Sequence, residues 1–438
     1  MLIGNLKMKE AYLHYIWTFQ YFDKKHLSTC QGDKLVILHP GTRNDHAGPD
    51  FLNSSLMIND ITWHGHVELH VKSSAWHLHK HQKDAAYDNV ILHVVWENDQ
   101  PIERVDKTLL PTLRLRDRVA PPIWKKYKNL VNSPSTIPFA NQINQVAPIV
   151  KAAMLDKALF QRLSHKNNLV HQLLANNQGD WSATAYQLLA YNFGFKVNSS
   201  ALLDLSLRLP WQIITKHTAS ITQLEALFLG QAGLLEEVIK QPDAYLSMLA
   251  KEYAYLAHKY QLLESKLHKV RWKFFRLRPA NFPTIRIAQF AQLIHQYPRL
   301  FDLLVYSPAQ ELAAHLAITQ STYWQQHYRF ATPSKAKIPG LGKPSIENIL
   351  INTVVPLLVA YGKAQDQQAY IDRGVAILQD LPAEHNAITR YWQKLGMSVN
   401  NAFDSQALIE LFNNFCAKKK CLSCNIGVNL LQKGDNNA

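Results

Sequence analysis

The segment Trp63-His64-Gly65-His66-Val67-Glu68-Leu69-His70-Val71-Lys72 decides how the first part of the chain is read. Its pattern predicts one β-strand with two unlike faces. Side chains alternate across a strand, so His64, His66, Glu68, His70 and Lys72 share one face and Trp63, Val67, Leu69 and Val71 the other. Gly65 leaves room for a neighbouring backbone to approach. Three imidazoles, a carboxylate and an ammonium in a row are costly to bury without partners. An ordinary solvent face would carry Thr, Ser and more Lys. The polar face therefore reads as one wall of a cleft. A half-buried hairpin with locally paired charges and hydrogen-bonded histidines accounts for the same pattern without chemistry.

Outward from this strand the chain is first strand-rich and then helical. Tyr12, Tyr15, Ile16 and Phe19 recur at helical spacing within residues 9–24. Leu35-Val36-Ile37-Leu38 is a strand, a polar loop follows from His39 to Asp50, and another strand starts near Phe51. Asn59-Asp60 is a hairpin turn. Asn89-Val90-Ile91-Leu92-His93-Val94-Val95-Trp96 is nearly all apolar, as in a central strand buried on both faces. A short strand from Leu109 to Leu115 closes the unit, and Pro121-Pro122 with Asn132 to Ser135 marks a boundary. Beyond about residue 145, apolar residues recur at i, i+3 and i+4, as in Val150 to Leu163, Trp181 to Asn192, Ile221 to Leu235 and Asp243 to Leu263. The expected fold is an α+β N-terminal domain over residues 1–130, followed by a large all-α region over 145–438.

Composition bounds the function classes. The chain has 438 residues, 47% of them hydrophobic, which suits roughly two or three folded domains. No run reaches the roughly 18 to 20 apolar residues of a membrane span, so no membrane partner is expected. Met1 to Lys7 is too short and polar for a secretory signal. Four cysteines do not make a secreted disulfide framework, which favours the cytoplasm. A formal charge of +14 suits a polyanionic partner, nucleic acid first. Nothing in the chain sets an oligomeric state, and the polar stretch Lys433 to Ala438 reads as a tail.

An antiparallel hairpin can bring Asp50, in Gly48-Pro49-Asp50-Phe51, to the same sheet end as Glu68, His70 and Lys72. Phosphodiester cleavage uses such a set, with carboxylates for a divalent cation and a cation for developing charge. These residues resemble the restriction-endonuclease-like superfamily, with its Pro-Asp and (Asp/Glu)-x-Lys signature. The resemblance implies a restriction-endonuclease-like mixed sheet. It also implies Mg²⁺ or Mn²⁺ on Asp50 and Glu68, with Lys72, helped by His70, orienting the attacking water or stabilising charge. Glu10 would supply the extra acid that some members place on the first helix. The departure lies in spacing: Glu68 and Lys72 are four apart instead of two, with His70 between them, although the strand face is kept. A divalent-metal-dependent nuclease is the leading expectation. A catalytically inactive nucleic-acid-binding or scaffold protein on a degenerate nuclease fold is the alternative. A histidine-ligated metal enzyme is third, with His64-x-His66 as the chelate and His93 on a neighbouring strand. His77, His79 and His81 read as solvated loop residues, and Asp88 as a turn residue.

Two further constellations lie in the second part. Lys269, Arg271, Lys273, Arg276, Arg278 and Arg286 interleave with Trp272, Phe274, Phe275 and Phe282, which suits phosphate contacts beside stacking surfaces. A solvated basic face with core aromatics reads the same residues. Cys416, Cys421 and Cys424 enclose Lys418-Lys419-Lys420, neighbours that favour thiolates. Zn²⁺, an iron–sulfur cluster and plain reduced thiols all fit this spacing. Cys30, the remaining cysteine, is the available fourth ligand.

Further stretches carry a resemblance over almost the whole chain. They include His39-Pro40-Gly41, Ala47-Gly48-Pro49-Asp50-Phe51, Val67 to Ser74, Tyr87 to Val95 and Asn192-Phe193-Gly194-Phe195-Lys196. Gly230 to Leu235, Leu277 to Pro283 and Cys421 to Gly427 complete the set. Together they resemble an uncharacterised bacterial family, domain of unknown function 2851. That resemblance brings no activity with it. It implies that the chain is inherited as one unit.

Overall fold

A computed structural model of the chain describes residues 9–44, 46–119, 121–236 and 243–432, with the backbone alone over 121–124. The N-terminal segment Met1 to Lys7 and the tail Lys433 to Ala438 lie outside the described residues. The chain divides into two compact units, one of residues up to Met154 together with those from Leu411 onward, the other Leu155–Glu410.

The first unit is built on a mixed sheet. Helix α1 (Glu10–Phe19) precedes β1 (Leu35–His39), β2 (Thr42–Arg43), β3 (Phe51–Ile58) and β4 (Ile61–Lys72). A short helix, α2 (Ala75–Leu78), and two 3₁₀ turns cross to β5 (Val90–Glu97) and β6 (Thr112–Arg114), and α3 spans Pro121–Val131. Spatial order is β1-β3-β4-β5-β6, with β2 on β3. The first pairings are antiparallel, while β4–β5 and β5–β6 are parallel.

Local chemistry explains the pieces. Asn59 and Asp60 both have positive φ (46° and 66°), the turn that joins Ile58 to its partner Ile61 without splaying the strands. Strand β5 is buried from Val90 to Val95, as its apolar run predicts. A Cβ on Gly65 would fall 2.5 Å from the Asn89 carbonyl oxygen, so β4 meets the start of β5 only because that side chain is absent. A core of Trp76, Val90, Ile102 and Leu110 anchors the crossover on the sheet.

The second unit is mostly helical, with Trp181–Phe193, Ile221–Gln231, Ala244–Lys259 and Pro283–Gln296 among its longer helices. It departs from the all-α expectation in a two-stranded antiparallel sheet, His327–Arg329 with Thr332–Pro333. Among the described residues one helical stretch, Lys343–Ala364, is long and apolar enough to cross a membrane, and 72% of its apolar window is buried inside the fold. The sequence groups all residues after 145; the structure instead groups the stretch from Leu411 with the sheet unit. That stretch carries the buried Cys416, Cys421 and Cys424, and its last helix, Asn425–Gln432, with the buried Ile426 and Leu430, packs against α3 and the turn Ala140–Gln145.

Candidate metal centre at the end of the mixed sheet

Antiparallel register sets Phe51 of β3 opposite Val67 of β4, which brings Asp50 beside Glu68. The Asp50 N–H donates to Glu68 Oε2 at 2.9 Å, and the Leu69 N–H donates to Asp50 Oδ2 at 3.0 Å. From α1, His14 Nε2 lies 3.1 Å from Asp50 Oδ2. Glu10 stands one helical turn before His14. Burial, and then the Asp50 charge, raise the Glu10 carboxyl above its ordinary value.

The crossover loop supplies imidazoles to the same place. His70 Nε2 is 3.1 Å from His79 Nδ1 and 3.6 Å from Glu68 Oε1, and His81 Nε2 is 3.4 Å from Glu68 Oε1. One ring nitrogen from each of His70, His79 and His81 lies within 4.8 Å of the others. Tetrahedral ligands at bonds of about 2.0–2.1 Å stand about 3.3 Å apart, so the measured edges suit a Zn²⁺-sized ion. Neither His70 nor Glu68 is more than 5% exposed.

Electrostatics keep His70 in its binding form. Burial, with His93, His81 and His79 around it, pushes the His70 imidazole down to about 2, and burial takes His93 down to about 3. Both are neutral at pH 7. His70 Nδ1 meets His93 Nε2 at 2.9 Å, which orients the ring and leaves Nε2 toward the cluster. Burial pushes the Glu68 carboxyl up, opposed by the His81 hydrogen bond. Tyr87 stacks on His81 with ring centroids 3.8 Å apart, and Trp76 meets it edge-on at 5.3 Å. The loop is thus held from both sides.

Of the sequence-predicted residues, Asp50, Glu68 and His70 come together. Lys72 does not: it is exposed at the end of β4, in register with Glu97 of β5, with no hydrogen bond or ion pair to Asp50 or Glu68 among the described residues. His70 holds the place two residues after Glu68. His64 is exposed, and His66 Nδ1 accepts a hydrogen bond from the Asn53 N–H, so that pair stays outside the cluster. His81 is buried, which corrects the reading of that residue as solvated filler, whereas His79 is exposed as expected but sets its Nδ1 against His70. Trp76 buries beside His93 and pulls the loop inward. His14 escaped the sequence reading, although its position four residues after Glu10 was the available signal.

The other predicted sites fare differently. Lys269, Arg271, Lys273, Arg276 and Arg278 are exposed, on loops and 3₁₀ turns. Arg271 is paired with Asp204. Arg286 is buried, not a surface contact, and binds Gln289, Asn281 and Ser345. Cys416, Cys421 and Cys424 are buried, and burial pushes the Cys421 thiol up to about 12 and Cys416 up as well. The lysines between them therefore do not win: Lys419 lowers both thiols by less than burial raises them. Cys30 is exposed.

No curated protein and no solved structure shows a significant match to the chain. A family model described as protein of unknown function (DUF2851) matches residues 10–387, and the chain belongs to that family.

Proposed function

We propose that the protein is a divalent-metal-dependent hydrolase of nucleic-acid phosphodiesters, with its ion held by Glu68, His70, His79 and His81. The observation that carries the reading is the convergence of ring nitrogens of His70, His79 and His81 within 4.8 Å of one another, with Glu68 Oε1 3.6 Å from His70 and 3.4 Å from His81, beside Asp50. The order of elements supports the restriction-endonuclease-like resemblance. A helix comes first, then an antiparallel run through β3 and β4, then a crossover to a parallel β5. Pro49-Asp50 stands at the mouth of β3 and Glu68 on β4, as in that superfamily's signature. Imidazole donors favour Mn²⁺, Fe²⁺ or Zn²⁺ over the Mg²⁺ that carboxylates alone would select.

When bound, the ion supplies Lewis-acid stabilisation of charge developing on a phosphoryl group. The chain's own residues do the rest. Asp50 is fixed by the Leu69 N–H and His14, so its carboxylate is positioned before substrate arrives. Burial and the Asp50 charge raise the Glu10 carboxyl above its ordinary value, the direction that suits a general acid. Trp76 and Tyr87 pack against the His81 ring and hold it in place, while His79 is exposed and open to an incoming ion or substrate. The net charge of +14 and the exposed Lys269, Arg271, Lys273, Arg276 and Arg278 supply the sequence-independent attraction that phosphate backbones need.

Incubating the full chain with single- and double-stranded DNA and RNA plus Mn²⁺ tests this. Cleavage should fall at least about 100-fold in Glu68→Gln. Equal cleavage by wild type and variant overturns the assignment. The displacement of Lys72 favours a second reading, an inactive nucleic-acid-binding protein. Salt-dependent binding with no cleavage under any metal would select it.

A further inference from the structure

A cleft of about 140 Å³ in the helical unit has the makings of an anion site. Its lining includes Arg286, Asn281, Ser345, Phe195, Val197 and Leu277. Arg286 is only 7% exposed, yet its partners are all neutral: Gln289 Oε1 at 2.9 Å, Asn281 Oδ1 at 2.5 Å and Ser345 Oγ at 3.2 Å. Its guanidinium carbon also lies 4.3 Å from the centroid of the Phe195 ring. The Nε–H is buried with no hydrogen-bond partner. No carboxylate is among the lining residues. A buried guanidinium with a donor to spare and no counter-ion is an expensive arrangement, and an anion relieves it.

Helix ends add to the positive field. The cleft is lined by Asn198, which precedes the helix Ser199–Arg208, and by Pro283, which opens Pro283–Gln296. Neither helix has a capping side chain on its first N–H groups. The Asn198 side chain is spent elsewhere, bonded both ways to the Lys273 backbone at 2.9 and 3.0 Å. At Gly194 a Cβ would lie 2.3 Å from the Ser199 nitrogen, so glycine keeps a side chain off the start of that helix.

Exposed cations alternate in sequence with the lining. Lys196 sits between Phe195 and Val197, and Arg276 and Arg278 flank Leu277. The apolar walls suit a flat body attached to the anion.

We propose that this cleft binds a phosphomonoester carrying a nucleobase, with the phosphate on Arg286. Either a free nucleotide or the phosphorylated end of a strand presents that chemistry. The inference shares a polyanionic partner with the proposed function but stands in the second unit and needs no metal.

The test uses full-length Glu68→Gln protein in EDTA, so that neither cleavage nor a divalent ion enters. Fluorescence anisotropy compares a short single-stranded oligonucleotide with a 5′-phosphate against the same strand with a 5′-hydroxyl, with AMP and inorganic phosphate as competitors. The phosphorylated strand, AMP or both should bind at least about tenfold more tightly than the unphosphorylated strand. Competition by AMP equal to the phosphorylated strand identifies the free nucleotide as the source; a strand-only effect identifies the end.

Arg286→Gln should abolish the preference, with the risk of unfolding. Ser345→Asp avoids that risk, because it gives Arg286 a carboxylate partner while placing a negative charge in the cleft. It should keep or raise the melting temperature and lose the preference. No phosphate-dependent binding in any arm, or a preference retained by folded Ser345→Asp, overturns the proposal. Cleavage by wild-type protein without an end preference would remove this cleft alone. An end preference without cleavage would remove the metal-dependent reading alone.

Discussion

Glu225 and Glu68 are both buried carboxyls, and their surroundings lead to opposite consequences. Glu68 faces imidazoles that an ion can organise. Glu225 faces hydroxyls, accepting hydrogen bonds from Tyr245 and, at 2.7 Å, from Ser321, and burial pushes it up to about 7. Its folded value exceeds the unfolded value near 4.5, so between those limits the folded state binds more protons and stability falls as pH rises. Full ionisation costs on the order of 3 kcal/mol, the free-energy equivalent of that shift. Glu225→Gln should therefore be about 3 kcal/mol more stable than wild type at pH 8 and nearly equal to it at about pH 3.5, below the unfolded value, as read by urea denaturation. A gain independent of pH would show that Glu225 is not the group that titrates. None of this was legible beforehand, because Glu225 sits in the apolar run Leu224 to Leu229 and its hydroxyl partners come from distant stretches. Glu68 was legible, since alternation alone marks its face as polar.

At the scale of elements, the strands announced themselves and the crossover did not. Alternation, the Asn59-Asp60 turn and the apolar run of β5 are local signals, and each matches the observed element. The loop from Ala75 to Tyr87 takes its course from a non-local core, Trp76 against Val90, Ile102 and Leu110, so spacing could not show that His81 turns inward or that the exposed His79 meets His70. Gly65 carries the packing of β4 on β5. Gly65→Ala places a methyl against the Asn89 oxygen and the Ile91 side chain, each 2.5 Å away. It should cost about 1–3 kcal/mol in thermal or denaturant unfolding, with part of the loss appearing as weaker metal binding. Wild-type stability in that variant would show that the strands do not need the close approach.

For the whole molecule, a helical second part was evident from periodicity, but the return of the last residues to the sheet unit was not. Long-range pairing leaves little trace in one sequence. Lys419 Nζ donates to the carbonyls of Ser133 and Ser135 at 2.8 and 2.7 Å, and the Asn425 N–H reaches Met154 Sδ at 3.3 Å. Ending the chain after Glu410 also removes the buried Ile426, Leu430 and Leu431, each worth about 1.5–3 kcal/mol. In calorimetry the truncated chain should lose or lower by several degrees the transition of the sheet unit and keep that of Leu155–Glu410. An unchanged first transition would mean that the C-terminal stretch is dispensable to it.

Metal stoichiometry tests most directly whether an ion sits between β4 and the crossover loop. Full-length protein equilibrated with Zn²⁺ or Mn²⁺ and freed of excess should retain about one ion per chain by elemental analysis, falling to near zero in a folded His79→Ala, His81→Ala double variant. No retained ion in the wild type, or equal retention in the two proteins, would contradict that placement.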